Sequence, residues 1–283
     1  MLAHYIPHVN DKEQLYLAIE RRRASSKEEL RMVQSDVEAR YDEFWRKRNS
    51  LEALPMSIFD NKKADELRSC YEAKRKVVRE LKDAYRQANG NVVLRCAYCQ
   101  LGKGETIDHF LPKSLYPEFS ILSTNLVFVC ASCNQKKGDA ALGNPRWIIN
   151  PFFDALDQIE VLKCCFKERK GGVVPLFYID AGTASSPREE YIVSIAKRHF
   201  NFFDLGGEFT VNASGKIREV RDMVISSEED PTLQDVEAQV KRFVRRRKNS
   251  ARLETGLNSW EFALWSALEV CSDVSGMVKR HRR

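Results

Sequence analysis

A chain of 283 residues and 32.7 kDa with 43% hydrophobic and 30% charged side chains is long enough for one large or two modest globular units, which excludes a disordered tail or a mini-protein. The 46 Lys and Arg against 40 Asp and Glu give a formal charge of +6, a mild basic excess that permits a polyanionic partner without demanding one. The longest purely apolar run, Leu126 to Ala131, falls far short of the roughly 20 residues of a membrane helix. The opening MLAHYIPHVNDKEQ lacks the basic-then-apolar signature of a signal peptide, so a soluble, cytoplasmic protein with no membrane partner is expected.

From about Asp11 to Ala88 the chain is dense in Glu, Lys, Arg, Leu and Ala, with Pro55 near its middle. This composition predicts two long helices joined around Leu54 to Asp60. Leu15, Leu17, Ile19, Leu30, Val33, Val37, Tyr41, Phe44 and Trp45 recur mostly at helical steps, as do Leu67, Cys70, Tyr71, Val77, Val78, Leu81 and Tyr85. A helical hairpin over residues 1–90 is therefore expected. Its triplet Arg21-Arg22-Arg23 reads as a solvated helical face. A Cys-, Gly- and Pro-punctuated module of another kind follows over 91–150. Beyond it, Ile159 to Phe166 and Val173 to Ile179 are β-prone runs around Lys170-Gly171-Gly172, a predicted hairpin. Ser186-Pro187-Arg188-Glu189 reads as a helix start, with Ser186 as cap and Pro187 in the first turn. Ser226 to Pro231 reads as a linker dividing an α/β extension, 151–226, from basic C-terminal helices, 227–283. Thr232 to Arg252 and Leu257 to Val270 are the two helices expected there, followed by a mobile tail, Lys279 to Arg283.

Eight cysteines in a chain of this kind are expected to stay reduced, so paired thiols read as metal ligands before they read as disulfides. Cys96-Ala97-Tyr98-Cys99 and Cys130-Ala131-Ser132-Cys133 form two CxxC knuckles, which can close a tetrahedral Zn²⁺ site with four thiolates. A redox CxxC or two buried cysteine pairs are the competing readings. Four sulfur ligands leave no open position, so such a zinc is structural and any chemistry must come from elsewhere. Cys70, Cys164, Cys165 and Cys271 read as packing residues.

Between the knuckles stand Asp108-His109-Phe110-Leu111-Pro112-Lys113-Ser114 and Asn125, and the second knuckle runs into Asn134-Gln135-Lys136-Lys137-Gly138. Thr106 to His109 and Asn125 to Val129 have strand character, and Asn134 is expected to open a short helix that stops at Gly138. Along a strand, Asp108 and His109 would face opposite sides, separating a metal-binding group from one that addresses water. The hard oxygens of Asp108 and Asn134 suit Mg²⁺ or Mn²⁺.

CxxC, DHxxPxS, Asn, then CxxCNxxKG in this order resembles the HNH nuclease family over about residues 94 to 140. The resemblance implies a zinc-stabilised ββα-metal module, which together with the arms read above gives an α+β architecture, the module set between the N-terminal helical hairpin and a C-terminal α/β plus helical region. It implies a metal-dependent endonuclease in which His109 deprotonates the attacking water, Asp108 and Asn134 hold the divalent ion, and Asn125 holds the histidine and its loop. In many members the last ligand is His, so Asn134 departs from the commoner pattern. Asn150-Pro151-Phe152-Phe153-Asp154 and the elements after it resemble HNH nucleases of Septu- and retron-type anti-phage systems, where a separate ATPase carries or restrains the nuclease.

Double-stranded DNA is the substrate this reading implies. Lys113, Lys136 and Lys137 are positioned for flanking phosphates, and the run Lys241 to Lys248, with Arg245, Arg246 and Arg247 at its centre, reads either as a phosphate-binding helix or as a solvated one. Residues 231–283 carry 11 basic against 6 acidic side chains. The helical arms are expected to hold a partner subunit, pair two copies, or span the substrate. A stand-alone restriction-type enzyme and a noncatalytic nucleic-acid-binding subunit are the alternatives.

Overall fold

The computed structural model describes residues 6–72, 75–88, 90, 94–140, 143, 146–154, 156, 159–169, 172–182, 184–228 and 235–280. They fall into two compact units, Ala3–Asp154 and Ala155–Arg283. The helical segments and the cysteine module thus share the first unit, and the α/β and basic segments share the second. No helix among the described residues is long and apolar enough to cross a membrane.

The first unit opens with four helices: α1 (Asp11–Glu20), α2 (Ala24–Arg46), α3 (Asn61–Glu72) and α4 (Arg75–Ala88). The anticipated first arm is therefore two helices. The chain leaves α1 after Glu20 because Arg22 has better partners outside a helix. Its guanidinium donates to Glu66 at 3.1 Å and to the Ser69 hydroxyl at 2.6 Å, both on α3. Arg22 is thus a tie between helices rather than part of a solvated face. The predicted stripe of α2 is real, with Leu30, Val33, Val37, Tyr41 and Phe44 buried. Arg40 joins that stripe: it donates to Glu118 at 2.9 Å and to the Pro55 carbonyl at 2.7 Å, and its guanidinium lies 5.4 Å from the Phe119 ring centroid. Glu118 and Phe119 belong to the connection between the two strands of the module, so α2 fixes that connection by a buried, fully engaged cation. On α4, Tyr85 packs with Leu94 and Phe128.

Asp11 sets the start of α1 against the same connection by accepting from Ser123 N at 2.8 Å and Ser123 Oγ at 3.0 Å. Burial raises its carboxyl to about 6 against the pull of those hydrogen bonds. A folded-state value above the unfolded one favours the native state below the unfolded value, and this contribution is lost as pH rises through about 6. Asp11→Asn keeps an acceptor for Ser123 and removes the buried charge. Its melting temperature is expected to exceed that of the parent at pH 7.5, by an amount reflecting about 2–3 kcal/mol, and the gap should close by pH 4. A gap independent of pH would contradict this assignment.

The module itself holds β1 (Thr106–His109) and β2 (Leu126–Val129), paired antiparallel with Asp108 opposite Val127 and His109 opposite Leu126. Helix α5 (Ala131–Lys137) follows directly. It begins after Cys130, so Asn134 lies within it rather than at its start, and Gly138 with φ +47° closes it.

The second unit pairs β3 (Leu162–Arg169) with β4 (Gly172–Ile179) as the expected hairpin. Ser186 caps α6 (Pro187–Phe202) by accepting from Glu189 N at 3.3 Å, and Glu189 answers by accepting from Ser185 N at 2.6 Å. Helix α7 (Leu205–Glu228) is where the sequence reading is corrected. Ser226, Ser227 and Glu228, read as linker, are its last residues, while 229–231 lie outside the described residues. Phe209, Ala213, Ile217, Val220 and Val224 are all buried at three- and four-residue steps, and this face carries the helix past its polar end. Helices α8 (Val236–Thr255) and α9 (Trp260–Glu269) follow. Asn258 between them accepts from Val161 N and Leu162 N at 2.8 and 3.1 Å, knotting the turn to the start of β3. Lys279 and Arg280, read as tail, end a further helix, α10 (Val274–Arg280), and 281–283 lie outside the described residues.

Candidate metal centre and catalytic site

Two short backbone loops bring the four knuckle thiols together. The first is closed by Gln100 N donating to Cys96 O at 2.9 Å and Cys96 N donating to Gly102 O at 2.8 Å, with Gln100 in the left-handed region at φ +63°. The second is the first turn of α5, where Asn134 N donates to Cys130 O at 3.0 Å. The loops approach so closely that a Cβ at Gly102 would stand 2.8 Å from the Cβ of Cys130. Ligand atoms of Cys96, Cys99, Cys130 and Cys133 all lie within 4.8 Å of one another, and the Cys99 and Cys130 sulfurs are 3.9 Å apart. Sulfurs at the corners of a tetrahedron with Zn–S bonds of about 2.3 Å stand about 3.8 Å apart. The four thiols therefore fit a zinc ion, with no fourth position left for a substrate.

The hairpin carries the second constellation. Asp108 is buried at the end of β1 and meets three donor contacts: Tyr98 Oη at 2.6 Å on one oxygen, and Lys137 Nζ at 3.0 and 2.9 Å on the two oxygens. Lys137 also donates to the His109 carbonyl at 2.8 Å and the Gly138 carbonyl at 3.3 Å. Burial lifts the Asp108 carboxyl and lowers the Lys137 ammonium, while the contact between them opposes both. Of the three lysines assigned to flanking phosphates, Lys136 is exposed on α5 and Lys113 half-exposed. Lys137 instead points inward with no exposed side chain and is spent on the Asp108-His109 corner. Because breaking a buried pair leaves an uncompensated charge, Lys137→Met is expected to lower stability by about 3–5 kcal/mol. Adding Asp108→Asn should recover part of it, as read by denaturant unfolding.

His109 is almost wholly buried. Its Nε2 lies 3.0 Å from the Ser120 carbonyl, and since a carbonyl only accepts, Nε2 carries the hydrogen and Nδ1 keeps a lone pair. Burial is the main cause that lowers the imidazole to about 4, against the Ser120 hydrogen bond. Tyr71 of α3 meets the ring edge-on with centroids 4.5 Å apart, and Lys113 lies 5.4 Å from the Tyr71 centroid.

Asn125 is fully buried and staples the loop after His109: Leu111 N donates to its Oδ1 at 2.7 Å, and its Nδ2 donates to the Leu111 and Phe119 carbonyls at 3.1 Å. Asn134 joins α5 to β1 through Nδ2, which donates to Thr106 Oγ1 and the Ile107 carbonyl, each at 3.2 Å. Among the described residues the group of three or more His, Cys, Asp or Glu side chains close enough to share an ion is the four cysteines; the contacts of Asn134 run through its amide nitrogen to β1.

Tyr71, Tyr98 and Ser120 were not singled out by the sequence. Tyr98 is a spacer within the first knuckle, Tyr71 lies 38 positions before His109, and Ser120 acts through its backbone carbonyl, which no residue type reports. In the second unit, Arg245 donates to Glu269 at 2.9 Å, Arg247 pairs with Glu219, and Arg246 is exposed.

Among known proteins, the chain is similar to Septu protein PtuB of Bacillus thuringiensis, 29% identical over 144 residues that cover 44% of this chain and 52% of that protein. It is also similar to protein ea31 of Escherichia phage lambda, 41% identical over 63 residues that cover 21% of each. The chain thus spans about half the length of the Septu protein and about a fifth of the phage protein. No protein-family model matches it, and no solved structure does.

Proposed function

We propose that this chain is a metal-dependent HNH-type endonuclease that hydrolyses phosphodiester bonds of double-stranded DNA in bacterial anti-phage defence. The observation that carries the chemistry is the Nε2 contact of His109 with the Ser120 carbonyl, because it leaves Nδ1 free to accept a proton one residue from a buried carboxylate. Similarity to the Septu protein supports the defence role, and the order β1, β2, α5 supports a ββα-metal arrangement.

In this mechanism His109 Nδ1 takes the proton from the attacking water, and burial keeps the imidazole in the neutral form a base requires. The Ser120 carbonyl and Tyr71 hold the ring in orientation. Asn125 keeps the loop after His109 in register, and Lys137 pins the Asp108-His109 corner to α5. A divalent cation held by Asp108 and Asn134 would stabilise charge on the phosphate and on the leaving 3′ oxygen. The zinc knuckles have a structural role only. Residues 1–90 are proposed to engage an ATPase subunit or a second copy of the chain. Cleavage of supercoiled plasmid by the purified protein, with Mg²⁺ or Mn²⁺ added or omitted, tests the reading. Metal-dependent nicking or linearisation with 5′-phosphate ends is expected, and intact plasmid across both metals would count against it.

A further inference from the structure

The basic run on α8 is not uniform, and its pairing pattern separates it into two sets. Arg245 and Lys248 both donate to Glu269 of α9, at 2.9 and 2.5 Å, and Arg247 pairs with Glu219 of α7 while lying 5.1 Å from the Phe243 ring centroid. These three hold α8 against its neighbours. Arg242 and Arg246 are exposed, and neither has a partner among the described residues. They stand four positions apart, on one face of the helix and about 6 Å apart along its axis.

That face lines an open groove of about 700 Å³ formed with Met223 of α7, in which Gln239, Arg242, Arg246 and Asn249 follow one another at steps of three, four and three and Arg245, already paired with Glu269, stands beside them. The stripe is about 15 Å long. The groove contains three guanidinium forks, two of them without an ion-pair partner among the described residues, flanked by two amides, and no acidic residue lines it. Guanidinium and amide groups are the donors that position phosphodiester backbones. Met223 is the one apolar residue that lines the groove, and no aromatic side chain does, so it lacks the aromatic anchors that protein interfaces favour.

We infer that the α7–α8 groove is a phosphodiester-binding surface, in which Arg242 and Arg246 contact successive phosphates of a nucleic-acid duplex while Arg247 and Lys248 serve the fold. The inference rests on the reading of DNA as the substrate.

The test is fluorescence anisotropy of the full chain, in a His109→Ala background with no added divalent ion, on a labelled DNA duplex over a range of salt concentrations. Arg242→Gln/Arg246→Gln is expected to weaken binding about tenfold and to reduce the slope of log K against log salt by about 2, as loss of two phosphate contacts requires. Arg242→Lys/Arg246→Lys should restore most of the slope. Arg247→Gln/Lys248→Gln, at residues that pair with Glu219 and Glu269 and do not line the groove, should stay within about twofold of the parent. Unchanged affinity and slope in the first pair, or equal loss in both pairs, would overturn the groove. A parent that cuts plasmid while the groove variants bind normally removes this inference and leaves the nuclease reading standing. No duplex binding by any form removes the groove and the DNA substrate together.

Discussion

Cys130→Ser is expected to yield protein with less than one zinc per chain and a first unit that has lost its cooperative thermal transition. Three observations make the effect large. The four thiols stand within 4.8 Å of one another, and without an ion such crowding is repulsive or unsatisfied. The close approach of the two loops, with a Cβ at Gly102 falling 2.8 Å from the Cβ of Cys130, leaves the second knuckle little room to move away from the first. Cys130 is also the residue from which α5 starts, and α5 carries Asn134 and Lys137 onto β1. Structural zinc contributes on the order of 10 kcal/mol to the fold of small domains, against about 5–15 kcal/mol of net stability for a whole protein. Metal analysis and circular dichroism on one preparation read both consequences. Full zinc occupancy with an unchanged melt would show that the cysteine cluster is not a zinc site, or that three ligands suffice.

His109→Ala is expected to do the opposite: to lower cleavage by about 10²–10⁴-fold, the usual contribution of a positioned general base, while keeping zinc and fold. The ring is buried, but its directional contacts among the described residues are two. It donates one hydrogen bond to the Ser120 carbonyl and meets Tyr71 edge-on. Losing them leaves one buried carbonyl short of a donor, a cost of about 1–3 kcal/mol, too little to unfold a unit whose loop is separately stapled by Asn125 and Arg40. His109→Gln can still donate to Ser120 and is expected to recover stability without recovering cleavage. A glutamine variant that cuts at the parental rate would show that the imidazole is not the base.

The parts of the molecule legible in the sequence are those written in local spacing. The two CxxC pairs, the capping pair Ser186 and Glu189, the α2 stripe and the β3–β4 hairpin each depend on residues within a few positions of one another, and each stands where the residue pattern puts it. The features that were not legible depend on partners far along the chain. Arg22 breaks the first arm because Glu66 and Ser69 are 44 and 47 residues away. Lys137 looks like one of two adjacent surface lysines until Asp108, 29 residues earlier, is seen against it. Helix α7 was obscured by Gly206, Gly207 and Gly215, whose weak helix propensity is outweighed by five buried apolar residues. Within the basic run, the sequence shows charge but not which arginines Glu219 and Glu269 have already engaged.

On the proposed function, a zinc-held scaffold presents His109 as the base of a metal-dependent nuclease. The most direct measurement compares plasmid cleavage by the parent and His109→Ala proteins in Mg²⁺ and Mn²⁺, with zinc content determined on the same preparations. The account predicts equal zinc in both and cleavage by the parent alone, only with added divalent metal. Equal cleavage by the two proteins at equal zinc content would contradict it.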